Sequence, residues 1–210
     1  MMKMVVHPTD HQKRAAARSP KPCRECCNQS LVNGLKNGSS SAALAFCSRY
    51  GPRINRWVWR FLGADTEHDE MVQQVYVGFF TSLSKLKDVD ALDAFVDSIT
   101  IRTVRKEIRK RKLRRILFSS TKEIDVETAS GESPLRDVHI RAFYRMLDKL
   151  SADERTVFVL KHFEGLTTDE IAERSGYSLR TANRRLCSGR ARLKEMMMRE
   201  PLLMHLLEEH

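Results

Sequence analysis

Apolar residues recur along this chain at spacings of three and four, the spacing of amphipathic helices. From Ser41, the positions Leu44, Phe46, Cys47, Tyr50, Ile54, Val58 and Phe61 or Leu62 predict a first helix or helix pair, broken around Gly51 and Pro52 and ended by Gly63. Thr66 is placed to cap a second helix, whose stripe is Val72, Val75, Tyr76, Phe79 and Leu83 and whose first turn is acidic. A third helix is expected from near Asp90, burying Leu92, Phe95, Val96 and Ile99. Further on, periodic segments at 135–150, 151–164, 167–175 and 178–197 are punctuated by Gly165 and Gly176.

Between these two sets of helices, residues 118–134 lose periodicity and gain Ser, Thr, Gly and acids, the composition of a solvated connection. The pattern therefore predicts an all-α fold of two small helical domains, 41–117 and 135–197, joined by a flexible linker. Fully extended, that linker spans at most about 56 Å, so the domains can reach separate sites without touching. Residues 1–40 hold Pro8, Pro20, Pro22, Gly34 and Gly38 with few large apolar side chains, and are expected to form a mostly disordered tail. Residues 198–210 are a carboxy-terminal extension, in which Leu202, Leu203, Leu206 and Leu207 share one face suited to covering the second domain or meeting an inhibitor.

Charge then changes the picture. The formal net charge is +10, which favours polyanionic partners. The most concentrated cationic segment is the second half of the third helix, where Arg102, Arg105, Lys106, Arg109, Lys110, Arg111, Lys112, Arg114 and Arg115 are opposed only by Glu107. A track of this kind suits a phosphate backbone, with membrane surface as the alternative polyanion. The sequence has no apolar run of spanning length and no signal-peptide pattern, so a cytoplasmic protein without membrane insertion is expected. Cys23, Cys26 and Cys27 could share zinc with His7 or His11 or respond to oxidants, but the cluster is short of a well-spaced four-ligand set, and no metal or cofactor is assigned. No P-loop, zincin or Ser/His/Asp pattern is present, and no catalytic residue is assigned.

Residues 167–193 have the length and punctuation of a helix-turn-helix: Thr167 and Asp169 open a short helix, Gly176 turns, and Ser178 caps a second helix. On a helical wheel Leu186, Gly189 and Leu193 fall within about 40° of Ala182, whereas Arg180, Arg184 and Cys187 fall on the opposite side. One face packs and the other is free to enter a major groove, where Arg forks suit guanine and an Asn amide suits adenine. Arg180, Thr181, Asn183, Arg184, Arg185 and Ser188 are the candidate readers, with Lys161, Thr168, Arg190 and Arg192 better placed for phosphates. An Arg-rich face alone would be an ordinary solvated face; the short helix, turn and capping serine set this one apart.

The run DEMVQQVYVGFF (69 to 80) resembles region 2.2 of sigma-70-type factors, with Gln74 where Glu is usual, and LDAFVDSITIR (92 to 102) resembles the following helix, with Phe95 in the place of Trp and Arg102 in that of Asn. LSADERTVF (150 to 158), FEGLTTDEIAE (163 to 173) and SLRTANRRLCSGRARL (178 to 193) resemble region 4. In order and separation the segments are similar to the extracytoplasmic-function group, which has only regions 2 and 4.

The resemblance implies a sigma factor that binds core RNA polymerase, recognises minus-35 and minus-10 promoter elements and promotes melting without ATP. It implies core docking through Asp69, Glu70, Gln73, Gln74 and Phe79, although the acids also suit the helix dipole. It places minus-10 contacts at Lys85, Lys87, Arg102, Arg105, Lys106 and Arg109, with the departures at Phe95 and Arg102 leaving the base preference open. An anti-sigma protein is a further partner it allows. The alternatives are a helix-turn-helix regulator that is not a polymerase subunit, and a degenerate sigma-like interaction protein.

Overall fold

A computed structural model describes residues 24–63, 67–117 and 134–199 of the chain. The described residues form eight α-helices: α1 (Arg24–Lys36), α2 (Ser40–Leu62), α3 (His68–Ser82), α4 (Leu92–Leu117), α5 (Pro134–Lys149), α6 (Ala152–His162), α7 (Thr168–Ser175) and α8 (Leu179–Met197). A single 3-10 turn at Leu83–Lys85 follows α3.

The amino-terminal unit is built on α2, with α3 and α4 against it. Ser39 caps α2 through the Ala42 amide. The expected break at Gly51 and Pro52 is absent: α2 is one helix with Pro52 inside it. Proline forfeits one backbone bond and crowds the preceding turn. Burial holds the two halves in line, because Phe46 and Tyr50 before the proline and Ile54, Trp57, Val58 and Phe61 after it lie in one core. Phe46 stacks on Phe79 with ring centroids 4.0 Å apart. The third helix starts at Leu92, within two residues of expectation, and Phe95 is only half-buried. Thr66, the expected cap of α3, lies outside the described residues.

A second departure is α1, which lies within the segment read as tail. Leu31, Val32 and Leu35 are buried, and α1 packs on α2. Three apolar positions among polar residues and Gly34 make a weak sequence signal, yet they suffice because α2 offers a face to cover. Gly34 is required at the crossing: a Cβ there would stand 2.7 Å from the Ala42 Cβ. Residues 1–23 and 200–210, and with them most of the tail and the carboxy-terminal extension, lie outside the described residues, as does most of the linker.

In the carboxy-terminal unit the four helices fall within about two residues of their expected bounds. Ser151 and Thr167 each start a helix with a reciprocal capping box, completed by Glu154 and Glu170. Gly176 ends α7 at φ 70°, a left-handed conformation that favours glycine.

The linker length permits separate domains, but here they touch. Helix α4 packs against α6 and α7, and α2 against α6. One apolar cluster runs from Phe46, Ile54 and Ile108 into Val157, Leu160, Ile171 and Leu186, and a smaller one joins Tyr144, Leu147 and Leu150 to Leu193.

Candidate nucleic-acid interface

Ser178 caps α8 by accepting from the Thr181 amide, and its hydroxyl lies 2.8 Å from that of Thr181. Ala182, Leu186, Gly189 and Leu193 form the buried stripe of α8, as the helical wheel requires. Gly189 faces α6, where a Cβ would meet the Glu154 Cβ at an ordinary contact distance of 3.5 Å. Arg180, Asn183, Arg184 and Cys187 are exposed on the other side, while Thr168 and Lys161 are half-buried at its border. The arrangement is a helix-turn-helix whose second helix presents a cationic, amide-bearing face to solvent.

Not every candidate reader is equally available. Arg185 is half-buried and lies 3.4 Å from the Asp153 carboxylate. Ser188 donates to Glu154 at 2.5 Å, and Arg192 donates to the same carboxylate at 3.1 Å. Glu154 also accepts from the Ser151 amide and hydroxyl, at 2.9 and 2.7 Å. Burial opposes ionisation of Glu154, but the bonds from Ser188 and Ser151 outweigh it and hold its pKa below the usual glutamate value. Ser188 is thereby tied to α6 and fixes the pose of α8. Sequence spacing could place Ser188 on a flank but could not reveal an acceptor 34 residues away.

The candidate minus-10 residues divide in the same way. Lys85, Lys87, Arg102 and Lys106 are exposed. Arg105 instead donates to the Tyr177 hydroxyl at 2.6 Å, with its guanidinium 5.1 Å from that ring's centroid. Arg109 is exposed as well, and donates to Asp153 at 2.7 Å. Asp153 thus gathers Arg109 from α4, Arg185 from α8 and the Tyr177 hydroxyl at 2.8 Å. Burial disfavours its charge, yet the Tyr177 bond and Arg109 together lower its pKa below the usual aspartate value.

Beneath this cluster, Asp97 is 2% exposed and pairs with Arg53 of its own unit and, at 3.1 Å, with Arg174 of α7. Burial pushes its carboxyl from 3.8 to about 6 against the pull of both arginines, with Asp93 and Glu164 adding to the rise. The sequence reading missed Asp97, Arg53 and Arg174, which lie far apart in the chain and carry no motif of their own.

On α3, Asp69, Glu70, Gln73 and Gln74 form an exposed polar face, and Gln74 donates to Glu70 at 3.1 Å. Phe79 does not belong to that face. It is fully buried against Phe46, so its assignment as a docking contact is corrected to a core role. The exposed aromatic is the adjacent Phe80, at 39%, with Val77 at 62% one turn earlier. The apolar stripe Val72, Val75, Tyr76, Phe79 and Leu83 already sets Phe79 on the core side, and packing of α3 on α2 buries it there.

Among the described residues no group of three His, Cys, Asp or Glu side chains is placed to hold a metal ion, and no helix is long and apolar enough to cross a membrane. Cys27 is a half-buried free thiol, and the other candidate zinc ligands have side chains outside the described residues.

These features define a two-unit helical DNA-binding protein, with a cationic helix in one unit and a helix-turn-helix in the other. Comparison with known proteins is consistent with that class: residues 46–114 match the family model of sigma-70 region 2, and residues 140–193 that of sigma-70 region 4. The RNA polymerase sigma-H factor of Pseudomonas aeruginosa is 24% identical over 187 residues, covering 84% of this chain and 95% of its own length. CnrH of Cupriavidus metallidurans, an RNA polymerase sigma factor, is 24% identical over 176 residues, 80% of this chain and 92% of the relative. Two solved structures share the fold. CnrH in complex with the cytosolic domain of CnrY has TM-score 0.57 and 20% identity, covering 82% of this chain and 98% of that one. The sigma factor RpoE in complex with the anti-sigma factor NepR, from Bartonella quintana, has TM-score 0.52 and 18% identity, covering 82% and 96%. The chain belongs to the sigma-70 family of RNA polymerase sigma factors, and is of the extracytoplasmic-function type with regions 2 and 4. Its function is that of an alternative sigma factor in transcription initiation.

Proposed function

We propose that this sigma factor divides its work among three surfaces. The exposed face of α3, with Asp69, Glu70, Gln73 and Gln74, docks on a basic element of core RNA polymerase. Phe80 and Val77 beside it supply apolar area that the sequence reading had assigned to Phe79. The segment from Lys85 to Lys87 and the α4 cations Arg102, Arg105, Lys106 and Arg109 hold the minus-10 strand, and α8 reads the minus-35 duplex through Arg180, Asn183 and Arg184. Thr181 and Arg185 flank that reading face, and Lys161 and Thr168 lie where phosphates would pass. The observation that carries this reading is the α8 geometry: a buried Ala182–Leu186–Gly189–Leu193 stripe leaves Arg180, Asn183 and Arg184 exposed together.

Melting draws on binding free energy, since unpaired bases held by stacking and by a cationic track offset the loss of pairing. The protein acts without chemistry of its own and works in the cytoplasm, where polymerase and promoter are. An anti-sigma protein is a proposed partner, in line with the solved sigma factor RpoE, which is bound to the anti-sigma factor NepR.

Transcription in vitro with purified core polymerase on a library of upstream fragments tests the proposal. Adding the protein should yield defined starts that share two spaced upstream elements; core binding without any start would contradict it. Replacing Asp69, Glu70 and Gln73 together with Ala should weaken core binding at least tenfold, corresponding to about 1.4 kcal/mol, with helix content unchanged. Unchanged affinity would remove that face from the docking surface.

A further inference from the structure

The arginines of α8 do not share one kind of partner. Arg185 lies against the Asp153 carboxylate, and Arg192 donates to Glu154. Arg190 instead donates through its Nε to Nε2 of His162, the last residue of α6, at 3.1 Å. An imidazole nitrogen that accepts a hydrogen bond carries no proton, so this contact is made by neutral His162 with its proton on Nδ1. The Phe158 ring packs beside the imidazole, with centroids 4.5 Å apart.

Arg190 and His162 are exposed, and Lys161 beside His162 is half-buried. Three groups that carry or can carry positive charge therefore meet where α6 ends against α8. The charge facing His162 from α8 is Arg190, and from its own helix Lys161. Charges that the other neighbours bring to α6 are engaged elsewhere: Glu170 of α7 in its capping box, Arg56 and Arg60 of α2 by Glu164, and Arg109 of α4 by Asp153 at the far end of the helix. Helix α5 meets Phe158 with the Phe143 ring. Burial and the two cations hold the His162 pKa below its ordinary 6.5, as expected of a site short of negative charge.

Seven residues separate Arg190 from Asn183, so the two share a flank of α8, about 10 Å apart along its axis. With Asn183 at the groove floor, Arg190 lies where the helix leaves the groove and meets its sugar–phosphate wall. We propose that His162, Arg190 and Lys161 form a site for one DNA backbone phosphate beside the minus-35 element, and that His162 takes up a proton when that phosphate binds. The proposal rests on α8 being the minus-35 reader. A phosphate oxygen replaces the imidazole as acceptor for Arg190, and the protonated Nε2 donates to the same phosphate. The complex then holds one proton more than the free protein. Binding tightens as pH falls through the bound-state pKa, and levels off once His162 is protonated in the free protein too.

The test is a fluorescence-anisotropy titration of a random-sequence DNA duplex with the full-length chain, at about pH 8 and about pH 6, on either side of the ordinary histidine pKa. Wild-type affinity should rise severalfold at the lower pH. His162→Gln keeps an acceptor for Arg190 but takes up no proton, and should lose most of that gain. NMR titration of the His162 ring should place its pKa below the ordinary histidine value in the free chain and above it in the complex. An equal gain in His162→Gln and wild type, or a ring pKa that DNA does not move, overturns the proposal. So does a loss by the same factor at both pH values, because the imidazole would then only position Arg190. Arg190→Ala should weaken binding and lower the salt slope by about one. If Arg190→Ala has no effect while Arg184→Ala weakens binding, the phosphate site is refuted and the reader assignment stands. If neither has an effect, the minus-35 assignment falls and the inference with it.

Discussion

The two units reach stability by different means. The amino-terminal unit buries a continuous aromatic and aliphatic core in which Phe46, Tyr50, Trp57, Phe61 and Phe79 all lie almost fully out of solvent. The carboxy-terminal unit has shorter helices, and its geometry depends on polar groups: two capping boxes, Arg155 buried against Asp148, and Glu154 gathering Ser151, Ser188 and Arg192. Apolar packing tolerates a long helix interrupted by proline. A reader helix must be held at one angle, and directional hydrogen bonds do that where a small core cannot.

That contrast can be broken most forcefully at Phe46. Phe46→Ala removes the ring stacked on Phe79 and should cost about 3 to 5 kcal/mol in denaturant unfolding. A loss below about 1 kcal/mol would mean that the aromatic core relaxes around the cavity and is not what holds the unit together.

Protonation separates the units next. Asp97 has a raised folded-state pKa, about 6 against an ordinary 3.8, so the folded chain binds this proton more tightly than the unfolded chain does. Its contribution therefore favours the folded state at low pH and is lost as pH rises from about 4 to 6, on the order of 3 kcal/mol for a shift of this size. Glu154 and Asp153 have lowered values, and their contributions run the other way: present above the ordinary carboxylate range and lost as pH falls through their folded pKa values. A carbon-13 NMR titration of the carboxyls should place the Asp97 midpoint near 6 and Glu154 below its usual range. An ordinary midpoint for Asp97 would mean that solvent reaches it.

The smallest effects should come from the caps. Ser151→Ala and Thr167→Ala each remove one capping box and should cost about 1 kcal/mol, read in thermal unfolding. Because Ser151 also orients Glu154 toward Ser188, its loss should weaken minus-35 recognition as well, whereas Thr167→Ala should act on stability alone. Equal effects on DNA binding would remove the distinction.

Local signals in the chain were legible where structure is local. The caps Thr167 and Ser178, the turn at Gly176 and the buried stripe of α8 follow from residues within one or two helical turns of each other. The overall all-helical pair of units followed from the same periodicity. Alternatives decided at long range were not legible. Whether Pro52 breaks its helix depends on α3 and α4; α1 exists because Leu31, Val32 and Leu35 find a face to cover. The contact between the two units was the least legible feature. Arg105 and Arg109 belong to a polycationic run that announces DNA, and only the fold brings Tyr177 and Asp153 to them, 72 and 44 residues away.

The central claim is that each unit reads its own promoter element. Base-by-base selectivity in transcription from a randomised promoter library, for the wild type and for Arg102→Ala and Arg184→Ala, tests it most directly. Arg184→Ala should relax preference at particular minus-35 bases, by about 1 to 3 kcal/mol each, and leave minus-10 preferences intact. Arg102→Ala should alter only the minus-10 profile. A uniform loss across all sequences in both variants would show that these arginines hold phosphates without reading bases, and would contradict the assignment of one element to each unit.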